Sequence, residues 1–493
     1  MNTPSRRTFL KSTAACTAAW LGGGLRRAPF ARPLGANDDI RIGVIGIGST
    51  VKIGGKGKQD IRDWRQIPGV RIVALCDVDQ TILDAEVAQF AKRNEKVEAY
   101  RDLRKLLERD DIDAVSITTP NHWHALATVW ACQAGKDVFV QKPASHNIFE
   151  GRQMVAAARK YKRIVLCTSG SRERNGYTEA LQWVHEGHLG KIRLIYGVNY
   201  KPRPSIGKVA GPQLLPPGLD YDLWSGPAPL QPLRRQYLHY DWHWDWQTGS
   251  GDLGNMGIHY VDGCRMATRQ GLPRHVVSLG GRFGYDDDGQ TPNTQLIYLD
   301  YEPAPVIFDV RGLPREKSLL TGNWNAKAMD ALHGQQTGVV VFCEDGYLAA
   351  NKAFDKKGTL IRTFAPTTPN LNRNFLAAVR SRRAEELVAD IEQGHLSAAL
   401  VHMGNISYRL GKTMPAGQLA ERLGGQKELG AAFEKIRAHL DANGIDLQAT
   451  PATLGPLLTM DPQTERFTGE FSAEANALVS RPYRAPFVVP EKV

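Results

Sequence analysis

Two stretches of the chain carry side chains of the types and spacing that proton and hydride chemistry needs. One is Thr118-Thr119-Pro120-Asn121-His122-Trp123-His124 with Gln141-Lys142-Pro143 after it; the other is Gly251-Asp252-Leu253-Gly254-Asn255-Met256-Gly257-Ile258-His259. An imidazole exchanges protons near neutral pH, and a lysine does so once its surroundings lower its pKa. A carbon that loses hydride while its hydroxyl loses a proton requires such a group beside it. Between the stretches, Trp242, Trp244 and Trp246 alternate with His243 and Asp245. These rings read either as platforms for a sugar face, making Trp244, Trp246 and Asp245 substrate contacts, or as one buried face of an extended segment. His122 with His124, and His239 with Asp241 and His243, have the alternate spacing of a strand-borne metal site. No further Cys or His cluster completes a shell, so no metal is expected.

Such chemistry needs a hydride acceptor, and the residues from Ile40 onward offer a place for one. Ile40-Arg41-Ile42-Gly43-Val44-Ile45 is a strand-like run that opens into Gly46-x-Gly48, where glycines allow a tight turn and close approach to a pyrophosphate. The next apolar run, Val70 to Leu75, leads to Asp77. An acid there accepts from the adenosine ribose hydroxyls and repels a 2′-phosphate, which favours NAD over NADP. Val51 stands where a third glycine is usual, so the turn reads as a longer one through Gly54, Gly55 and Gly57. Lys52, Lys56 and Lys58 in it are either phosphate contacts or a solvated basic loop.

The elements that position these groups alternate as a parallel sheet demands. Helix is expected over Leu103 to Arg109 and Ala125 to Ala134, strand over Ala114 to Thr118, Val138 to Val140 and Ile164 to Thr168. Asn147 and Glu150 form a capping box before Met154 to Lys160. A Rossmann-type α/β domain is therefore expected over 37–168. Strands over Ile192 to Tyr200, Val276 to Leu279, Gln295 to Tyr301, Val306 to Val310 and Val339 to Cys343 predict an α+β substrate domain over 169–365 with an open, largely antiparallel sheet. Over 366–493, two helices within Asn372 to Gly411 pack back on the seam. Gly411 to Gly430 reads as a linker or insertion, Ala431 to Asn443 as a helix, and the Pro-rich tail as a surface segment.

The two chemical stretches, taken with the glycine turn, resemble the glucose–fructose oxidoreductase / inositol dehydrogenase / rhizopine catabolism (Gfo/Idh/MocA) family. The resemblance implies that Gly46, Gly48, Asp77, Thr119, Pro120, Asn121 and His124 hold NAD, with Pro120, Asn121 and His124 at the nicotinamide ribose. It implies that Lys142, before Pro143, binds a substrate hydroxyl at the cofactor, and that Asn255 and His259 stand at an Asp-x-x-x-His pattern with His259 as the general acid/base. It further implies dimers or tetramers built on the second sheet. Two residues depart from the pattern: Gln141 replaces a glutamate and Asn255 an aspartate. Neither amide can supply the missing charge, and Asp252 is the candidate to replace it among the catalytic residues.

Length, composition and charge narrow the classes. At 493 residues with 42% hydrophobic and 23% charged side chains, the chain is a multi-domain globular protein. Six of the positive charges behind the net +11 fall in residues 1–36, which hold no acid, so the remainder is small and scattered and no nucleic-acid partner is expected. Ser5-Arg6-Arg7-Thr8-Phe9-Leu10-Lys11 and the Ala/Gly-rich stretch to Gly24 resemble a twin-arginine signal over 1–36. That implies recognition by the translocase, export in the folded state and a periplasmic location. No later run is apolar enough to span a membrane. Cys76, Cys132, Cys167, Cys264 and Cys343 form no Cys-x-x-Cys pair and read as free, buried thiols. Four functions stay open: an NAD-dependent oxidoreductase acting on a ring hydroxyl of a sugar or glycoside, a redox-neutral or glycoside-cleaving enzyme with tightly bound NAD, a sugar-binding protein with impaired catalysis, and an interaction scaffold.

Overall fold

The computed structural model describes residues 38–49, 54–172, 175–320, 324–365 and 370–493; the stretch with Arg6 and Arg7 expected to be an export signal, and Val51 and Lys52 of the glycine turn, lie outside these. The first sheet holds β1 (Ile40–Ile45), β2 (Val70–Cys76), β3 (Glu98–Tyr100), β4 (Ala114–Ile117), β5 (Asp137–Val140) and β6 (Val165–Cys167), in the order β3-β2-β1-β4-β5-β6. Every neighbouring pair is parallel. Buried on both faces, the central strands are the near-continuous apolar runs seen in the sequence. Helices α1 (Lys56–Arg65), α2 (Gln80–Ala91), α3 (Leu103–Leu107), α4 (Asn121–Gln133) and α5 (Ile148–Lys160) connect them. Helix α4 starts four residues before the expected Ala125: Asn121 to His124 are its first turn, directly after Pro120. Asn147 caps α5 by accepting the Glu150 N–H at 2.8 Å, while Glu150 reaches back to the His146 N–H at 3.0 Å.

The second sheet has twelve strands: β7 (Ile192–Tyr200), β8 (His275–Gly281), β9 (Thr294–Leu299), β10 (Val306–Arg311), β11 (Thr337–Cys343), β12 (Gly346–Ala349), β13 (Lys352–Asp355), β14 (Leu360–Thr363), β15 (Lys412–Met414), β16 (Ala452–Leu454), β17 (Leu458–Asp461) and β18 (Arg466–Thr468). The path runs β14-β13-β12-β11-β7-β10-β9-β8-β16-β15, with β17 on β8 and β18 on β17. Strands β7 and β10 pair in parallel and the other pairs are antiparallel, so the sheet is mixed but largely antiparallel, as expected. Side-chain alternation gives it two apolar faces. Ile195, Val276, Ile297 and Phe308 pack under α6 (Asn175–His185), α7 (Ile258–Thr268) and α9 (Ile391–Arg409). Tyr196, Val198, Leu279, Leu296 and Ile307 face the other way.

One expectation for the last third changes. Residues 411–430 are no linker: they form β15 and α10 (Ala416–Leu423), and Leu419 and Leu423 join α11 (Lys427–Ala442) in covering the outer face of the sheet. The tail runs along the surface without helix, as expected, and two of its side chains anchor it. Phe487 and Val489 are buried, and the Phe487 ring meets Trp123 of α4 edge-on at 5.5 Å, because apolar residues too Pro-interrupted for a helix still fill the groove beside α4. Helix α8 (Leu371–Ser381) sends Phe375 and Leu376 into the first domain, and α9 lies between the two sheets, packed on both α5 and β8. No described helix is long and apolar enough to cross a membrane.

Candidate active site

The carboxyl ends of β1, β4 and β5 open into a cleft of about 450 Å³ whose far wall is the second domain. Its floor is the glycine turn. Gly46 and Gly54 have φ of +84° and +89°, and a Cβ on Gly46 would lie 2.8 Å from the Thr119 nitrogen. The turn is the longer one: α1 begins at Lys56, and Gly57 takes up the close strand–helix approach, since a Cβ there would sit 2.1 Å from the Gly46 carbonyl oxygen. Asp77 ends β2 against this turn and accepts the Ile47 N–H at 2.8 Å and the Asp79 N–H at 3.0 Å. Burial raises its pKa and those two bonds oppose the rise. A bare glycine cradle with a carboxylate at its edge fits the pyrophosphate and ribose of a dinucleotide.

Thr119, Pro120, Asn121, His124 and Lys142 all line the cleft, as do Asn255 and His259 from the opposite wall. His124 lies between the Pro143 carbonyl at 2.7 Å and the Thr119 carbonyl at 2.8 Å, and its single N–H donates to one of them, tying the start of α4 to the lysine loop. Its burial pushes the imidazole down to about 4. Lys142 donates to the backbone carbonyl of Asn255, and burial, with Arg203 nearby, lowers its pKa to about 8. His259 opens α7 after a π-helical turn, Leu253–Gly257, and accepts the Gly170 N–H at Nδ1, 2.9 Å away. The wide turn re-aims the residues on either side of it, as such turns do at functional sites.

Gln141 has a physical account. Its amide nitrogen donates to Asp60 at 3.0 Å and its amide oxygen accepts from Thr168 at 3.0 Å. Asp60, fully buried on α1, also accepts from Ser116 and pairs with Lys56 at 2.8 Å, so the carboxylate stands at position 60 and a glutamate at 141 would face it as a like charge. Nothing in the one-dimensional spacing marks Asp60 as a neighbour of Gln141.

Asp252, the candidate replacement acid, does not reach the cleft. It is fully buried outside the cleft lining, with one oxygen on Arg203 and the other on the Asn199 amide at 2.9 Å. The aromatic stretch also differs from its reading. Leu238–Asp241 is a helical turn and Trp242–Trp244 a 3₁₀ turn, so alternate residues do not share a face. His239, Tyr240 and Trp242 line the cleft, whereas Trp244 and Asp245 line a separate pocket of about 180 Å³ and Trp246 packs toward Tyr408 and Arg409. Trp224 borders both spaces. Tyr200 instead bonds Asp309 beneath the sheet, and Arg265 bonds Ser397 and Gln393 at the seam.

Residues 40–169 match the model of the GFO_IDH_MocA oxidoreductase family with an NAD-binding Rossmann fold, and residues 183–271 match that family's C-terminal alpha/beta domain. Both matches support membership of the Gfo/Idh/MocA oxidoreductases. The oxidoreductase domain is thus of the NAD-binding kind. Curated relatives include a glycosyl hydrolase family 109 protein of Shewanella putrefaciens, 28% identical over 39% of this chain and 45% of its own length, and one of Saccharopolyspora erythraea, 29% identical over 38% and 44%. The chain spans less than half the length of these relatives. Among solved structures, the WlbA dehydrogenase of Bordetella pertussis, in complex with NADH and UDP-GlcNAcA, superimposes with a TM-score of 0.54 at 18% identity, over 76% of this chain and 96% of that one. A likeness at that identity shows the shared fold.

Proposed function

We propose that this oxidoreductase removes hydride from a ring hydroxyl carbon of a sugar or glycoside. The observation that carries the reading is that Lys142, at the carboxyl edge of the parallel sheet, and His259, on the second domain, line one cleft with the glycine cradle. When bound, NAD supplies the hydride acceptor. Asn121, Lys142 and Asn255 present polar groups to a substrate hydroxyl, and Trp242 and Trp224 offer apolar walls that exclude water. The names of the curated relatives favour a second reading of the same site. Oxidation to a ketone acidifies the neighbouring C–H, a glycosidic bond is eliminated, water adds, and the returned hydride leaves the net reaction a hydrolysis. The resemblance of residues 5–11 to a twin-arginine signal suits this redox-neutral reading, because an exported enzyme would have little free NAD to draw on.

The first test denatures purified protein and identifies the released nucleotide by mass spectrometry; NAD is expected, and NADP, or no nucleotide with no NAD binding on titration, refutes the reading. The second incubates the NAD-loaded protein with nitrophenyl glycosides in deuterated water. Cleavage through a ketone places deuterium on the ring carbon beside it, while plain oxidation accumulates NADH without cleavage. Neither signal across the common hexosides would favour a sugar-binding protein with impaired catalysis. Export is tested separately: Arg6→Lys with Arg7→Lys is expected to hold the protein in the cytoplasm.

A further inference from the structure

His239 is tied to Asp79, His124 to backbone carbonyls and Lys56 to Asp60, which leaves Lys142 and His259 as the cleft groups to take the hydroxyl proton, and their hydrogen bonds separate them. A backbone amide can only donate, so the Gly170 N–H at 2.9 Å makes His259 Nδ1 an acceptor and leaves the ring hydrogen of the neutral imidazole on Nε2. A proton on Nδ1 would set two N–H groups head to head. The imidazole has little room to swing away: a Cβ on Gly170 would already touch Nδ1 at 3.1 Å, and the Ser171 hydroxyl donates to the His259 carbonyl, fixing the backbone. Lys142 is differently placed. Its Nζ donates to the Asn255 carbonyl, which fixes one N–H without supplying a full negative charge, and the neighbouring side chain of Gln141 is an amide committed to Asp60 and Thr168.

We propose that Lys142 is the base that takes the substrate's hydroxyl proton, and that His259 stays neutral throughout with its hydrogen on Nε2. The inference rests on the hydride-transfer reading. In the step, the O–H bond breaks and its proton joins the lone pair of neutral Nζ to give an ammonium. The electron pair of the C–H bond leaves with its hydrogen to oxidised NAD, the C–O bond becomes C=O, and the ammonium later returns its proton to water. The charges around Lys142 support the assignment. Arg203 and Lys201 follow β7, Lys56 comes from α1, and Asp252 precedes the π turn. Asp262 and Arg172 share the small pocket behind Lys142 and His259, Asp60 lines the cleft from α1, and His124, His243, His259 and Cys167 are the further titratable neighbours. The acids of this set are each held by a cation, Asp252 by Arg203, Asp262 by Arg172 and Asp60 by Lys56. Burial first, then Arg203, brings the amine down to about 8, within reach of its neutral form.

The test is NMR of NAD-loaded, full-length protein carrying labelled Lys side-chain carbons and His ring nitrogens, with Lys142→Met and His259→Gln used for assignment. Lys142 is expected to titrate near pH 8 and His259 to keep its Nε2–H tautomer from pH 6 to pH 9. A His259 ring that takes up a second proton in that range, or a Lys142 that stays charged through pH 10, overturns the proposal. If the protein fails to bind NAD, the hydride-transfer reading fails first, and that result is scored apart from the tautomer. Turnover on an accepted glycoside gives a second readout. Lys142→Met and Lys142→Arg are expected to lose roughly 100-fold or more, and His259→Gln, which keeps both an acceptor and a donor, to lose less than either. The reverse ranking refutes the assignment.

Discussion

At the residue scale, the exchange of charge between positions 60 and 141 makes a sharp prediction. Gln141→Glu places a second carboxylate against buried Asp60 and removes the donor that Asp60 uses. A cost of about 1–3 kcal/mol is expected at neutral pH, from the lost bond and the like charge. The new glutamate's folded pKa would lie above its unfolded value, so the penalty is present at high pH and fades as pH falls and the group protonates. Denaturant melts of the variant and wild type at pH 7 and pH 5 check both size and sign. Gly57→Ala is the companion case. The added Cβ would lie 2.1 Å from the Gly46 oxygen and 2.5 Å from the Ile47 oxygen, backbone atoms that cannot swing aside. NAD affinity measured by titration is expected to fall, together with a stability loss of about 1–3 kcal/mol from overpacking.

At the scale of elements, the turn from Tyr237 to Trp246 decides which aromatics meet ligand. Helical and 3₁₀ geometry sends Trp242 to the cleft and Trp246 away from it, although both belong to the same alternating series in sequence. Trp242→Ala is therefore expected to raise the KM for a glycoside by roughly tenfold, or about 1.4 kcal/mol, while Trp246→Ala leaves it unchanged. Steady-state kinetics on the two variants separates them, and an equal effect would refute this placement. Much of this level was legible beforehand: the parallel strands, the Asn147 cap and the core strands of the second sheet follow from apolar periodicity and turn residues. The start of α4 was not, because Asn121 to His124 carry no helical pattern and are held by the bonds of His122, Trp123 and His124 to distant carbonyls.

For the whole molecule, the outer face of the second sheet bears on self-association. The family resemblance implies dimers built on that sheet, yet here α10 and α11 lay Leu419, Leu423, Leu429, Phe433, Ile436 and Leu440 over Val277, Leu279, Leu296 and Ile307. The chain satisfies that apolar face itself, so light scattering is expected to give a monomer mass at micromolar concentration. Long-range ion pairs fasten the C-terminal third to the body. Burial would raise Glu465, but His395 and Arg152 hold it down at about 2; His439 and Arg311 hold Asp330 at about 2 against the same opposing effect. Folded pKa values below the ordinary carboxylate range contribute stability that is present above about pH 4 and lost as pH falls toward 2. Thermal melts between pH 5 and pH 2.5 are expected to show a steep drop in Tm, shallower in Glu465→Gln.

What the sequence determined by itself was local and periodic: the Rossmann strands, the glycine turn with Asp77, the cap at Asn147 and the residue types at Lys142 and His259. Each is written in neighbours a few positions apart, where backbone sterics and apolar spacing act. The tertiary structure decided how those groups are wired. Asp60 reaches Gln141, Gly170 fixes Nδ1 of His259, and Arg203 claims Asp252, each across a separation in the chain that no spacing rule encodes. The same holds for the anchors of the tail, Phe487 and Val489, and for the capped sheet face, where apolar residues in unremarkable segments find grooves that exist once the two domains are folded and packed. Hydrogen-bond direction and desolvation act through space, so they become visible when the chain closes on itself.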